Sequence, residues 1–274
     1  MGSRLGLFLL GLSFVYAASL TGRSPKQRQQ MPKSDHAFEN IFNTFVQDMA
    51  DVNRAVFTST DTLKILTWVV PVYLIARFSD DRIHSAFYDS AGHRNISQLP
   101  EAFATFTSKT ITVLAISLLF SPFFSFVDPE IRRVSLLMAE GLFSIFIIRT
   151  LAKYSIKGRS CLRPWNGNFS AHQRSFGGFP SGHMAMAGYL TTLYAMQFGP
   201  KWGVPLGILT ALASFASINR NRHYASQIVS GIGLGAIYGY AANKVLDTRL
   251  NDRIEISMDM DAKFRPNFSL SYNF

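Results

Sequence analysis

The chain has 274 residues, 48% of them hydrophobic, 14% aromatic and only 16% charged, with a formal charge of +10. An average soluble domain carries about a quarter charged residues, and here the apolar residues cluster into runs, so a soluble chain with greasy helices is the alternative and a membrane bundle the expectation. Nucleic acid is not an expected partner, because Lys and Arg are scattered or sit at the ends of apolar runs, with no basic stripe interleaved with aromatics; anionic lipid headgroups or a phosphorylated substrate fit that placement better.

Residues 1–19 open with Met1-Gly2-Ser3-Arg4, continue as a short apolar run, and offer Val15-Tyr16-Ala17 where a signal peptidase needs small residues. The segment reads as a cleaved signal peptide or, second, as a signal anchor. Residues 20–58 form the next unit. Its first part, to residue 36, is a polar and basic connector, and from Ala37 apolar residues recur at helical spacing (Phe38, Ile41, Phe42, Phe45, Val46, Met49, Val52, Val56). This is an amphipathic helix, lying on the bundle or on a membrane surface.

Residues 59–247 hold six apolar stretches, near 62–78, 105–127, 134–153, 183–198, 202–218 and 224–244. A bilayer crossing takes about 20 residues; the second stretch is the clearest, and the first and fourth are short. Pro71 and Pro205 are tolerable inside packed membrane helices. Gly231, Gly235 and Gly239 recur every four residues and predict close helix packing without chemistry. Residues 248–274 change pattern. Ile254, Ile256, Met258 and Met260 alternate with polar residues, Arg265-Pro266-Asn267 breaks the run, and Phe268, Leu270, Tyr272 and Phe274 alternate again, as in a β-hairpin. The expected fold is therefore all-α: a six-helix membrane bundle with an N-terminal amphipathic helix and a short C-terminal β-hairpin tail.

Two polar connections concentrate groups that suit phosphate. The first runs from Lys153 to His183 and holds Lys153, Lys157, Arg159, Arg163 and Arg174; the second is Asn219-Arg220-Asn221-Arg222-His223-Tyr224. An even number of crossings separates them, so both emerge on one side of the bundle. Pro180-Ser181-Gly182-His183 directly precedes the fourth apolar helix. Ser181 is placed to act as N-cap, Gly182 permits close backbone approach, and free N–H groups at a helix start attract anions. A capped turn alone would explain Ser181 and Gly182. His183 in the first turn is disfavoured when charged, which argues for a use. A single cysteine, Cys161, excludes an intrachain disulfide and a cysteine zinc site.

Three segments, Lys-Tyr-Ser-Ile-Lys-Gly-Arg-Ser-Cys-Leu-Arg-Pro (153–164), Pro-Ser-Gly-His (180–183) and Ser-Ile-Asn-Arg-Asn-Arg-His-Tyr-Ala-Ser-Gln (217–227), together resemble the motifs of the type 2 phosphatidic acid phosphatase superfamily. That superfamily also includes soluble bacterial acid phosphatases and vanadium haloperoxidases. The likeness covers about residues 60–245, and its intact part is Pro-Ser-Gly-His. The resemblance implies a metal-free phosphatase without cofactors. His223 would attack phosphorus and carry a phosphohistidine, and His183 would protonate the leaving alkoxide and later activate water. Arg163, a motif-one lysine, Ser181 and the Gly182 N–H would hold the equatorial oxygens.

The departures are specific. The family has six residues between its lysine and Arg-Pro; Lys157 leaves five and Lys153 leaves nine, and Lys153 with a short insertion is preferred, Lys157 remaining the alternative. Ser217 stands where the family has arginine, so Arg220 or Arg222 would have to reach the phosphate. Gln227 stands where an aspartate would orient His223 and stabilise its positive charge; the amide keeps an acceptor and loses the charge. The implied substrate is a lipid phosphate or polyprenyl pyrophosphate at a membrane, with oligomeric state undetermined. A weakened or inactive homologue that binds phosphorylated lipid, and a secreted soluble acid phosphatase, are the competing readings. Arg132, Arg133, Lys201, Lys244, Arg249 and Arg253 place a multi-pass chain with its catalytic connections outside the cytoplasm, whereas a cleaved signal peptide and six crossings would place them inside.

Overall fold

Gly231, Gly235 and Gly239 lie on one face of the last helix, and the bundle is organised around that face. The computed structural model describes residues 37–88, 101–121, 129–155, 162–164, 178–251, 254–260 and 266–272. The signal-like segment 1–19, the connector to residue 36, Lys157, Arg159, Cys161 and Arg174 lie outside these residues. Among the described residues there are seven helices: α1 (Ala37–Thr58), α2 (Thr60–Phe87), α3 (Glu101–Phe120), α4 (Pro129–Ser155), α5 (Gly182–Phe198), α6 (Pro200–Asn219) and α7 (Ala225–Asn251). Two strands, β1 (Ile254–Met260) and β2 (Pro266–Tyr272), pair antiparallel with Ile254 opposite Tyr272. The described residues are thus almost entirely helical.

Helix α5 is apolar on every side, as a central helix must be, and Ala185, Tyr189, Leu193 and Tyr194 are completely buried. It packs along α7 with almost no side chain between them. A Cβ added at Gly231 would fall 2.6 Å from the Ser181 carbonyl oxygen, one at Gly239 3.0 Å from that of Tyr189, and one at Gly235 would strike the Ala185 carbonyl. The glycine row is therefore a packing seam, and the two helices run parallel, with Ser181 beside Gln227 at their N-terminal ends and Gln197 beside Asn243 at their C-terminal ends.

Helix α1 packs on the bundle: Val52 and Val56 lie in the same core as Leu193 and Tyr238. Its Asn53 donates to Ser144 of α4 at 2.9 Å and accepts from the Tyr238 hydroxyl at 2.8 Å, so a polar group carried into the interior is satisfied. Ser59 then interrupts the helical run, its hydroxyl capping α2 by accepting from the Asp61 N–H at 3.2 Å.

Among the described residues, three helical segments are long and apolar enough to cross a membrane: Thr60–Phe87, Arg133–Ser155 and Pro200–Asn219. The stretch at 105–127 overlaps helix α3, which is apolar from Lys109 to Phe120. Helix α2 carries the most open apolar surface, with Trp68, Ile75 and Phe78 largely exposed. A cavity of about 560 Å³ lined by Leu114, Trp202, Leu206 and Lys201 opens at the end of the bundle where α4 and α6 begin.

Candidate active site

Helix α5 begins at Gly182, and Ser181 occupies the N-cap position with φ −65° and ψ 121°. The expected side-chain cap is absent. The Ser181 backbone N–H donates instead to the Gln227 carbonyl at 3.1 Å, and the Ser181 carbonyl accepts from Ala185 at 2.9 Å. With the turn tied to α7 by its main chain, the hydroxyl is buried with no hydrogen-bond partner among the described residues. Such a group costs stability of about 1–3 kcal/mol unless something completes it.

Gly182 does allow a close approach, and the approaching group is the Arg149 guanidinium: a Cβ at Gly182 would lie 2.5 Å from Arg149 Cζ. Arg149 sits on α4, and its Nε donates to the Pro180 carbonyl at 3.2 Å. Arg149 is not among the residues that the sequence alone singled out. The available signal was its position four residues before Lys153, on the same helical face.

The second connection is a tight turn between α6 and α7. Arg220 closes α6 through its N–H to Ala216 O at 3.0 Å, Asn221 takes a left-handed conformation at φ 54°, and the Arg222 N–H returns to Ser217 O at 2.9 Å. Asparagine is one of the few residues that accept that backbone. Ser217, in the family's arginine position, turns its hydroxyl back onto Ala213 O at 2.8 Å.

His223 follows, buried at 7% exposure, with Nδ1 3.2 Å from Gln227 Oε1. The amide is fixed independently of the imidazole: its Nε2 donates to Leu162 O at 2.7 Å and its Oε1 accepts from the Tyr224 N–H at 3.2 Å. An oxygen therefore faces Nδ1, which must carry the proton, leaving the Nε2 lone pair of His223 available. Burial, and then the Arg163 charge, push the His223 pKa down to about 3 against an opposing push from the Gln227 hydrogen bond. At neutral pH the ring is an uncharged base.

Around it stands a group of cations. Arg163, Arg149 and His183 all act electrostatically on His223. Arg149, Arg222 and Arg163 act on His183, and Arg149 and Arg163 act on Lys153. Burial, followed by the charges of Arg149 and Arg222, lowers the Arg163 pKa from its ordinary value. His183 is exposed where His223 is buried. The structure thus brings Lys153, Arg163, Ser181, Gly182, His183, Arg222, His223 and Gln227 to one end of the bundle and adds Arg149. Arg220 is placed there only through its backbone, and Lys157 lies outside the described residues.

No protein-family model and no curated protein matches the chain. A solved structure it is similar to is the first transmembrane PAP2-type phosphatidylglycerolphosphate phosphatase from Bacillus subtilis, at 14% identity, covering 91% of this chain and 98% of that one, with a TM-score of 0.36. So low a TM-score establishes no shared fold. Among the described residues no cluster of three His, Cys, Asp or Glu side chains forms a metal site. The chemistry open to the arrangement follows from its own groups: an uncharged imidazole with a free lone pair, a second imidazole at the surface, and positive charge suited to an anion between them.

Proposed function

We propose that the chain is a multi-pass membrane phosphatase or phosphotransferase acting on a lipid phosphate or polyprenyl pyrophosphate through a phosphohistidine. The observation that carries this reading is the His223–Gln227 pair, which presents an unprotonated Nε2 at the centre of the cationic cluster. In the first step Nε2 attacks phosphorus, the bond to the leaving oxygen breaks, and His183 delivers a proton to that oxygen. In the second, His183 takes a proton from water, the water oxygen bonds to phosphorus, the N–P bond breaks, and phosphate leaves. Arg149, Lys153, Arg163, Arg222, the Ser181 hydroxyl and the Gly182 N–H hold the non-bridging oxygens as their charge grows. Gln227 keeps His223 oriented and lends no charge to the phospho-imidazolium, so turnover is slow.

The three long apolar helices support the membrane setting, with α2 to α7 as its crossings and the hairpin of β1 and β2 as an accessory tail. Arg133, Lys201 and Lys244 belong to the opposite end of the bundle from His223, which supports an extracytoplasmic site. The neutral Gln227 favours one second reading, a homologue that binds phosphorylated lipid without turnover. Phosphate release from a panel of lipid phosphates and polyprenyl pyrophosphates, measured on the wild type, His223→Ala and Gln227→Asp, separates the two. A wild-type rate above that of His223→Ala, raised about tenfold by Gln227→Asp, is expected by analogy with the loss seen when a triad aspartate becomes an amide. A wild-type rate no higher than that of His223→Ala refutes the enzyme.

A further inference from the structure

We propose that the C-terminal part of α2 is the element that positions His223, with Asp80, His84 and Tyr88 as its positioning residues. The inference rests on the phosphatase reading for its kinetic consequence, though not for its geometry. The three residues recur every four positions and so form one stripe along α2. Each grips a different residue of the segment that carries the imidazole. The Asp80 carboxylate accepts from the Ser226 N–H at 3.0 Å and from the Ser226 hydroxyl at 2.5 Å. His84 Nε2 lies 2.9 Å from Asn221 Oδ1, the residue with the left-handed backbone. The Tyr88 hydroxyl donates to the Asn219 carbonyl at 2.6 Å, at the end of α6. Residues 219, 221 and 226 bracket His223 on both sides.

Ordinary packing does not account for this stripe. A helix docks on a bundle through apolar residues, yet the only fully buried residue within α2 is the charged Asp80, while Trp68 and Phe78 point outward. A buried carboxylate is tolerated only where hydrogen bonds and charge satisfy it; here Ser226 supplies two donors and Arg77 lies 3.5 Å away. His84 is further held by stacking on Tyr88, centroids 5.2 Å apart, and by the tilted ring of Tyr224 at 5.7 Å. The consequence passes through the first turn of α7. Ser226 is adjacent to Gln227, so fixing Ser226 fixes the amide whose oxygen orients His223 Nδ1. The carboxylate missing beside the imidazole has a counterpart one step away, acting on the helix rather than on the ring.

The test uses the full-length protein in detergent micelles, with Asp80→Leu, Asp80→Asn and Tyr88→Phe. The first readout is the rate at which diethyl pyrocarbonate modifies His223, followed by peptide mass analysis; the second is phosphate release from a short-chain phosphatidic acid. Asp80→Asn keeps an acceptor for the Ser226 N–H and a donor for its hydroxyl, so it serves as the rescue. In Asp80→Leu, His223 modification is expected to accelerate about tenfold, the order of one lost buried hydrogen bond, with kcat down about tenfold and KM within about twofold. Asp80→Asn is expected within about threefold of wild type on both. Wild-type modification rates in a folded Asp80→Leu overturn the proposal, as does Asp80→Asn failing equally. Should Asp80→Leu not fold, Tyr88→Phe decides: about threefold faster modification supports the role, and no change overturns it. Wild-type protein that releases no phosphate removes the phosphatase reading alone, since the modification rates still report whether α2 holds His223.

Discussion

At the end of the α5–α7 pair away from His223, Gln197, Asn243 and Asp247 satisfy one another. Gln197 donates to Asn243 at 2.7 Å and to Asp247 at 3.4 Å, and Asn243 donates to Asp247 at 2.9 Å. At the other end the same two helices hold a buried serine hydroxyl with no partner among the described residues, an imidazole pushed far from its charged form, and cations that repel one another. One end spends its polar groups on cohesion. The other keeps like charges together at a cost in stability, as sites prepared for an anion do.

The largest effect expected of that contrast is in Arg149→Ala. Phosphate release falls about 100-fold while the thermal unfolding midpoint holds or rises, because a repelling charge is removed with an oxyanion donor. A midpoint that collapses with the activity would make Arg149 a structural residue and break the comparison. Asn243→Ala is the mirror case: stability drops by about 1–2 kcal/mol with phosphate release unchanged. The pH dependence of stability comes next. Below its unfolded pKa of 6.5 the His223 of the unfolded chain takes up a proton that the folded chain refuses down to about 3. Stability therefore falls as pH drops through that window, by up to about 1.4 kcal/mol per pH unit from this group, and His223→Asn flattens the slope. Smallest is Ser181→Ala, with activity down about tenfold and stability unchanged or higher by about 1 kcal/mol, since an unpartnered hydroxyl is deleted. Lower stability in that variant would mean the hydroxyl holds the turn after all.

The helices nearest the site were legible because apolar runs and terminators agree. The stretches read at 183–198 and 202–218 fall within Gly182–Phe198 and Pro200–Asn219, separated by Gly199 at φ 70°. That Gln227 would face His223 was expected from the resemblance of residues 217–227 to a family motif rather than from periodicity, and the two lie 3.2 Å apart. Helix α2 was read only to residue 78 because Asp80, Asp81 and Arg82 look like a solvated end; Ser226, which makes Asp80 a buried residue, is 146 positions away. Arg149 was missed for the same reason: its neighbours Pro180 and Gly182 come from another helix. Ser181 was expected to cap α5, and no local pattern foretells that Gln227 would take over the turn through its carbonyl. Periodicity reads what a segment contains; it does not read what crosses over to meet it.

The seam of Gly231, Gly235 and Gly239 has a metrological consequence. His183 and His223 stand at the same end of two helices whose spacing is set by main chain against main chain, with Gly231 in contact range of the Ser181 carbonyl. The spacing of the two helices is therefore calibrated by backbone atoms, which all sequences share. One methyl group at Gly235 acts like a shim in a gauge, widening the jaws for every substrate at once.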